Sequence, residues 1–220
     1  VPGAHGAQPG GAGARARPGG GPGGGGRLPK KLNQAADDER ARHPGAAVEV
    51  WAFDEHRAGL KPVLRRVWAK RGRRPIAVAE PRYEWLYLYG FVRPMTGALV
   101  WFLCNGVNTA LFAAVLARFA AEVGAGPNKR VILVLDGPGW HASAGLAVPE
   151  GVRLEFLPPY SPELQPAEHL WPLTNEAVAN RHFASLGELD AALAERCLVL
   201  ADQPETIKAH TRFHWWPEAA

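Results

Sequence analysis

From Val48 onward the apolar residues fall into short runs and helical repeats, and the changes between them mark the elements. Val48 to Phe53 predicts a short strand ending at Asp54. Trp85 to Val92 and Ala98 to Cys104 are apolar and aromatic-rich, with the turn signal Arg93-Pro94-Met95-Thr96-Gly97 between them, so they predict a hairpin. Behind Asn108, residues Leu111, Phe112, Val115, Leu116, Phe119 and Val123 recur at helical spacing until Gly124 stops them. Val131 to Leu135 is unbroken and apolar, as in a strand buried on both faces, and it ends at Asp136. Val152 to Leu157 is a fifth strand. A helix is expected near Gln165-Pro166, with proline in its first turn. The last expected helix begins at Ser185, which has capping-box spacing to Glu188, and runs through Leu189, Leu193, Cys197 and Leu200.

The order is strand, strand, strand, helix, strand, helix or loop, strand, helix, helix. An antiparallel three-strand start followed by right-handed crossovers gives an α/β domain, a mixed five-stranded sheet flanked by helices. That domain is assigned to residues 47–216. Residues 29–46 form a charged linker or a helix stub, with Lys30 to Arg42 as the helical part. The first 26 residues hold 12 of the 25 glycines, so the Gly/Ala/Pro-rich tail, 1–28, is expected to be disordered.

Composition narrows the class. The chain is 47% hydrophobic, enough for a core, yet its apolar runs are too short to span a bilayer. The tail has no apolar segment of the kind a secretory signal needs. Cys104 and Cys197 belong to no paired motif, which argues against a disulfide framework or structural zinc and fits a reducing cytoplasm. The net charge of +4 says less than its distribution. Arg57, Lys61, Arg65, Arg66, Lys70, Arg71, Arg73 and Arg74 form a basic strip with no acid among them. Such a strip predicts a polyanion-facing surface, a merely basic loop being the bland alternative. Lys129 and Arg130 are expected in a solvated turn.

The carboxylates carry the chemistry. Asp54 and Asp136 each follow an apolar strand, and in open α/β sheets ligands bind beyond the carboxyl ends of the strands. If the two strands are parallel neighbours, the side chains emerge roughly 5 Å apart. Carboxylates that close repel unless protonated or bridged by a cation, and all-oxygen ligands favour Mg²⁺ or Mn²⁺. Glu168, in the first turn of the proline-started helix, would complete a cluster for two ions. From these residues alone, a metal site and ordinary strand-end acids both stay open.

Four segments, WAFDEHRAGLKPVLRRVWAKRGRRP, VILVLDGPGWHAS, LEFLPPYSPELQPAEHLWPL and ANRHFASLGEL, change that balance. In this order, the stretch from Val50 to Leu200 is similar to the DDE domain of bacterial transposases in the insertion-sequence-630 / mariner superfamily. The resemblance implies an RNase H-like fold, with Asp54, Asp136 and Glu168 as catalytic acids and metal ligands. Asp136 and Glu168 have 31 residues between them, close to the family's gap. It also implies two Mg²⁺ or Mn²⁺ ions, and cleavage and strand transfer of double-stranded DNA at transposon ends and target. A homodimer on DNA, in the bacterial cytoplasm and nucleoid, is implied as well.

Glu55 should point to the opposite face of the strand from Asp54 and ranks below it as a ligand. Glu163 ranks below Glu168, which matches the family's position. His141 matches the family's Asp-x-x-x-x-His pattern. With His169 and His56 it is expected to support the acids or contact DNA, ordinary surface histidines being the alternative for the last two. A three-histidine zinc site is the lesser reading. The strand and helix tryptophans are expected to be core, whereas Trp215 and Trp216 are less obviously so. Family members carry a helix-turn-helix region before this domain, and here a glycine-rich tail stands in its place. Pro172 is expected to kink the helix, because it cannot bond the carbonyl of Glu168. The competing readings are a DNA-binding remnant without catalysis, and another RNase H-like nuclease such as one cutting RNA–DNA hybrids.

Overall fold

The computed structural model describes residues 27–66, 68, 70–72, 82–137, 139, 141, 143 and 145–217. Residues 1–26 of the expected tail lie outside these. Five strands, β1 (Ala47–Gly59), β2 (Trp85–Arg93), β3 (Ala98–Cys104), β4 (Lys129–Leu135) and β5 (Val152–Phe156), form one sheet in the order β3-β2-β1-β4-β5. β1 is antiparallel to β2 and parallel to β4, β2 and β3 form the expected hairpin, and β4 and β5 are parallel. This is the mixed five-stranded sheet expected from the strand order, and the RNase H-like arrangement that the family resemblance implies.

β1 lies at the centre because both of its alternating faces are apolar. Val48, Val50 and Ala52 are buried on one face, Trp51 and Phe53 on the other. The strand runs to Gly59 rather than ending at Asp54. Its last six residues keep β2 as an antiparallel partner, from Asp54 opposite Gly90 to Gly59 opposite Trp85, so their backbone groups on the β2 side stay paired.

Helix α2 (Thr109–Val123) covers one face. Asn108 caps it by accepting from Leu111 N–H, and Gly124 closes it at φ 70°, both as predicted. Phe112, Leu116 and Phe119 are fully buried, and Phe119 stacks on Phe91 with ring centroids 4.1 Å apart. Each such side chain contributes roughly 1.5–3 kcal/mol by leaving water.

The other face is covered by α1 (Arg27–Arg42), α4 (Leu186–Ala201) and α5 (Pro204–Thr211). The segment expected as a linker or stub is thus a full helix. Leu28, Leu32, Ala35 and Ala36 bury one side of α1, and Glu39 takes Arg130 Nε at 3.0 Å. Arg130 and Lys129 are therefore not a solvated turn but the start of β4, ion-paired to Glu39 and Glu49. The last helix is α5, not α4, and Trp216 behind it is buried core. The described residues between β4 and β5 form turns and no helix.

In place of one regular helix from Gln165, a 3₁₀ turn at Pro166–Leu170 leads into the short α3 (Trp171–Thr174). Pro172 sits in the first turn of α3, and the Glu168 carbonyl takes Trp171 N–H instead of the bond that proline cannot give. No helix among the described residues is long and apolar enough to cross a membrane.

Candidate active site

Strand register brings the first two acids together. β1 pairs with β4 from Ala47 opposite Lys129 to Ala52 opposite Val134, and then the pairing stops. Two residues further on, continuing the same register leads to Asp54 on one strand and Asp136 just past the other, and both line one cavity. The crevice opens at the carboxyl ends of the parallel strands.

Glu168 comes from the 3₁₀ turn beyond β5. Gln165 holds this turn against β1: its buried amide Nε2 donates to Phe53 O at 2.9 Å, and its Oε1 caps Ala167 N–H. Asp54, Asp136, Glu168, Gln165, Leu157 and Tyr160 are among the residues lining one cavity of about 430 Å³. The sequence reading did not single out Gln165 or Tyr160. A glutamine directly before a helix-starting proline was the signal for the first, since its side chain can cap the turn.

Burial dominates the electrostatics, and repulsion among the acids adds to it. Burial pushes the Asp54 carboxyl up to about 7; the Trp171 hydrogen bond opposes this, while the charges of Glu55, Asp136 and Glu168 add to it. Burial and then Asp136 also raise Glu168. The three converging acids form an all-oxygen donor set suited to hard divalent cations, whose charge would reverse the upward shifts of Asp54 and Glu168.

Glu55 lies on the other face of β1 from Asp54, as alternation requires, but it is tied to the cluster through His141. The imidazole is wholly buried, packed against Phe112 and Phe53, with Nε2 2.7 Å from Glu55 Oε1 and Nδ1 3.2 Å from Asp136 Oδ1. Burial lowers the histidine's pKa, yet hydrogen bonds and charge from Asp136 and Glu55 outweigh it and hold the ring at about 9. Glu55, Asp136 and His141 also lie close enough to share a metal ion. A protonated ring donates from both nitrogens, so this trio reads as a carboxylate–imidazolium–carboxylate bridge rather than a ligand set.

The other expected residues fall outside the cavity lining. His169 is exposed and sets its ring edge-on to Phe213. Glu163 is exposed in the preceding turn. His56 stacks on Trp171 and pairs with Asn175 Oδ1 at 3.1 Å, so it is not an ordinary surface histidine. Burial lowers its pKa, against the Asn175 hydrogen bond. Trp171 is buried as expected, but its indole N–H also donates to Asp54 Oδ2 at 2.8 Å.

In the basic strip, Arg57, Lys61, Arg65, Arg66, Lys70 and Arg71 are all exposed, whereas Arg73 and Arg74 lie outside the described residues. Arg57 covers the Trp85 ring, and Arg65 donates to the Pro172 carbonyl at 2.8 Å, fastening the strip beside the acidic turn. Trp68, within the strip, is fully exposed.

A five-stranded mixed sheet of this order, with three acids lining one cavity, is consistent with a DDE endonuclease domain. The chain belongs to the DDE superfamily endonuclease family, whose model matches residues 49–190. It is 31% identical over 132 residues to the uncharacterized protein y4pE/y4sA of Sinorhizobium fredii, covering 60% of this chain and 96% of that protein. It is 27% identical over 158 residues to the insertion element IS630 uncharacterized 39 kDa protein of Shigella sonnei, covering 70% of this chain and 44% of that one. Among solved structures, the pre-cleavage Mos1 transpososome shares its fold with a TM-score of 0.50 at 14% identity, over 84% of this chain and 62% of that one. The chain thus spans under half of the insertion-element protein and less than two thirds of the Mos1 chain.

Proposed function

We propose that this chain is the catalytic part of a transposase that cleaves double-stranded DNA at transposon ends and joins the freed end to a target. The observation that carries this reading is the meeting of Asp54, Asp136 and Glu168, from three separate elements, at one cavity. Left to themselves, these carboxylates would repel a phosphodiester as well as each other.

Two Mg²⁺ or Mn²⁺ ions held by the three acids would supply activation of the attacking oxygen and stabilisation of the leaving one. The protein's own groups set the stage for that. His141 holds Asp136 from behind, and Gln165 fixes the turn that carries Glu168. The exposed strip of Arg57, Lys61, Arg65, Arg66, Lys70 and Arg71 supplies phosphate contacts that position a duplex without reading its bases. The active form on DNA is a homodimer, working in the bacterial cytoplasm at the nucleoid.

The test is nicking of supercoiled plasmid by the purified chain with Mg²⁺ or Mn²⁺. Asp136→Asn should lose nicking while keeping DNA binding, because the charge removed belongs to the acid cluster and affinity comes from the cations. Equal nicking by both proteins would remove Asp136 from the mechanism.

A further inference from the structure

We infer that Trp171 is a positioning residue: its indole fixes Asp54 in the orientation needed to take a metal ion, and locks the turn carrying Glu168 to β1. This rests on the proposed role of the three acids. The hydrogen bond from Nε1 to Asp54 Oδ2, at 2.8 Å, joins residues 117 apart in sequence. Trp171 follows Glu168 by three residues, and Gln165 precedes it by three. Gln165 is bonded to Phe53 O, and Trp171 to Asp54 itself. The Glu168 turn is therefore tethered on both sides to consecutive residues of one strand.

The ring has little freedom to be anywhere else. His56 stacks on it with centroids 5.0 Å apart and planes 13° from parallel, and Trp101 leans on it at 6.3 Å. Opposite Asp54 on β2 stands Gly90, where a Cβ would come within 2.9 Å of the Trp171 ring. The missing side chain at Gly90 is thus the space the indole occupies. The choice of donor also matters. An arginine or lysine here would neutralise Asp54 and compete with a cation, whereas an indole N–H orients one oxygen without supplying a positive charge. The second oxygen stays available to an ion.

The experiment is calorimetric titration of Mn²⁺ into wild type, Trp171→Phe and Asp54→Asn, alongside melting temperatures and plasmid nicking at several Mn²⁺ concentrations. Trp171→Phe keeps the packing and loses the N–H. It should melt within a few degrees of wild type, bind Mn²⁺ about tenfold more weakly, in line with losing a hydrogen bond to a charged group, and regain nicking as Mn²⁺ is raised. Unchanged Mn²⁺ affinity in a folded Trp171→Phe would overturn the inference. Wild-type Mn²⁺ affinity in Asp54→Asn would instead overturn the reading of the acids. A second measurement does not depend on the Trp171→Phe fold. The indole N–H resonance that moves in Asp54→Asn should shift during a Mg²⁺ titration with the same midpoint as metal binding. An indole signal indifferent to Mg²⁺ would sink the inference even if Trp171→Phe failed to fold.

Discussion

His141 and Glu55 face each other at 2.7 Å with both side chains almost wholly buried, on the side of β1 away from the cavity. The ring's other nitrogen reaches Asp136, so one buried cation serves two carboxylates. Removing the ring takes away the partner that Glu55 meets at 2.7 Å, and breaking a buried ion pair from one side costs about 3–5 kcal/mol. His141→Ala should therefore lower unfolding stability by about that much, read from urea titrations with chelator present. Adding Glu55→Gln to it should cost less than the sum of the two single losses. Strictly additive losses would mean that the pair is not coupled.

The pH dependence of the metal-free protein follows from two raised pKa values. Asp54, at about 7 in the fold against an ordinary 3.8, keeps a proton that the unfolded chain gives up, so stability falls as pH rises from about 4 to 7. His141, at about 9 against 6.5, contributes fully below pH 6.5, and its share is lost as pH rises through 9. Melting temperature in chelator should fall across both windows. Asp54→Asn should make the first fall shallower, leaving the part that the raised Glu168 contributes, and should leave the second fall in place. Mg²⁺ should raise melting temperature most above pH 7, where Asp54 is ionised. A flat profile between pH 4 and 7 in the wild type would refute the burial argument for Asp54.

Local signals were the legible ones. Asn108, Gly124 and Ser185 bound their helices through contacts within four residues, so the sequence alone located those boundaries. Asp54 and Asp136 stood out because apolar strands run directly into them, and Glu168 because it lies in a turn resembling the family's. Contacts between distant segments were not legible. The indole N–H of Trp171 meets Asp54 across 117 positions and His141 meets Glu55 across 86, and neither spacing has a local pattern. Lys30 to Arg42 is legible as helical, but its charges hide the buried face that Leu28, Leu32, Ala35 and Ala36 form at helical spacing. Helix α5 was masked by its shortness, with only Ile207 and Thr211 buried.

Tyr160 lines the cavity yet is 98% exposed, and its backbone holds φ at 58°, a left-handed conformation a tyrosine rarely adopts. Such strain costs on the order of 1 kcal/mol, and no burial of the ring offsets it. Tyr160→Gly should therefore raise stability by up to about 1 kcal/mol in urea titrations. A ring held out at the mouth of an acid cluster is placed to stack on a base, an interaction worth about 1–3 kcal/mol. Tyr160→Gly should accordingly weaken nicking, and Tyr160→Phe should not. A glycine variant that nicks DNA as well as wild type would remove the ring from DNA contact.

Under the proposed function, how the chain would grip DNA follows from the kind of cations it offers. Arg57, Lys61, Arg65, Arg66, Lys70 and Arg71 are exposed side chains on or just beyond the outer end of β1, none of them on a helix that could enter a major groove. Contacts of that kind meet phosphates, which fix position and carry little sequence information. If about four cations of the strip engage phosphates, log affinity should fall against log salt with a slope near −4, from about 0.9 counterion released per contact. Arg57 and Arg65 also serve the fold, one over Trp85 and the other on the Pro172 carbonyl, so neutralising them would confound binding with stability. Lys61, Arg66, Lys70 and Arg71 are the better set. Changing all four to glutamine should leave the melting temperature nearly unchanged, flatten the salt slope and weaken binding to every duplex alike. Salt titrations of both proteins on two unrelated duplexes decide the matter. A marked preference of the wild type for one duplex, or an unchanged slope in the variant, would show that recognition resides elsewhere in the chain.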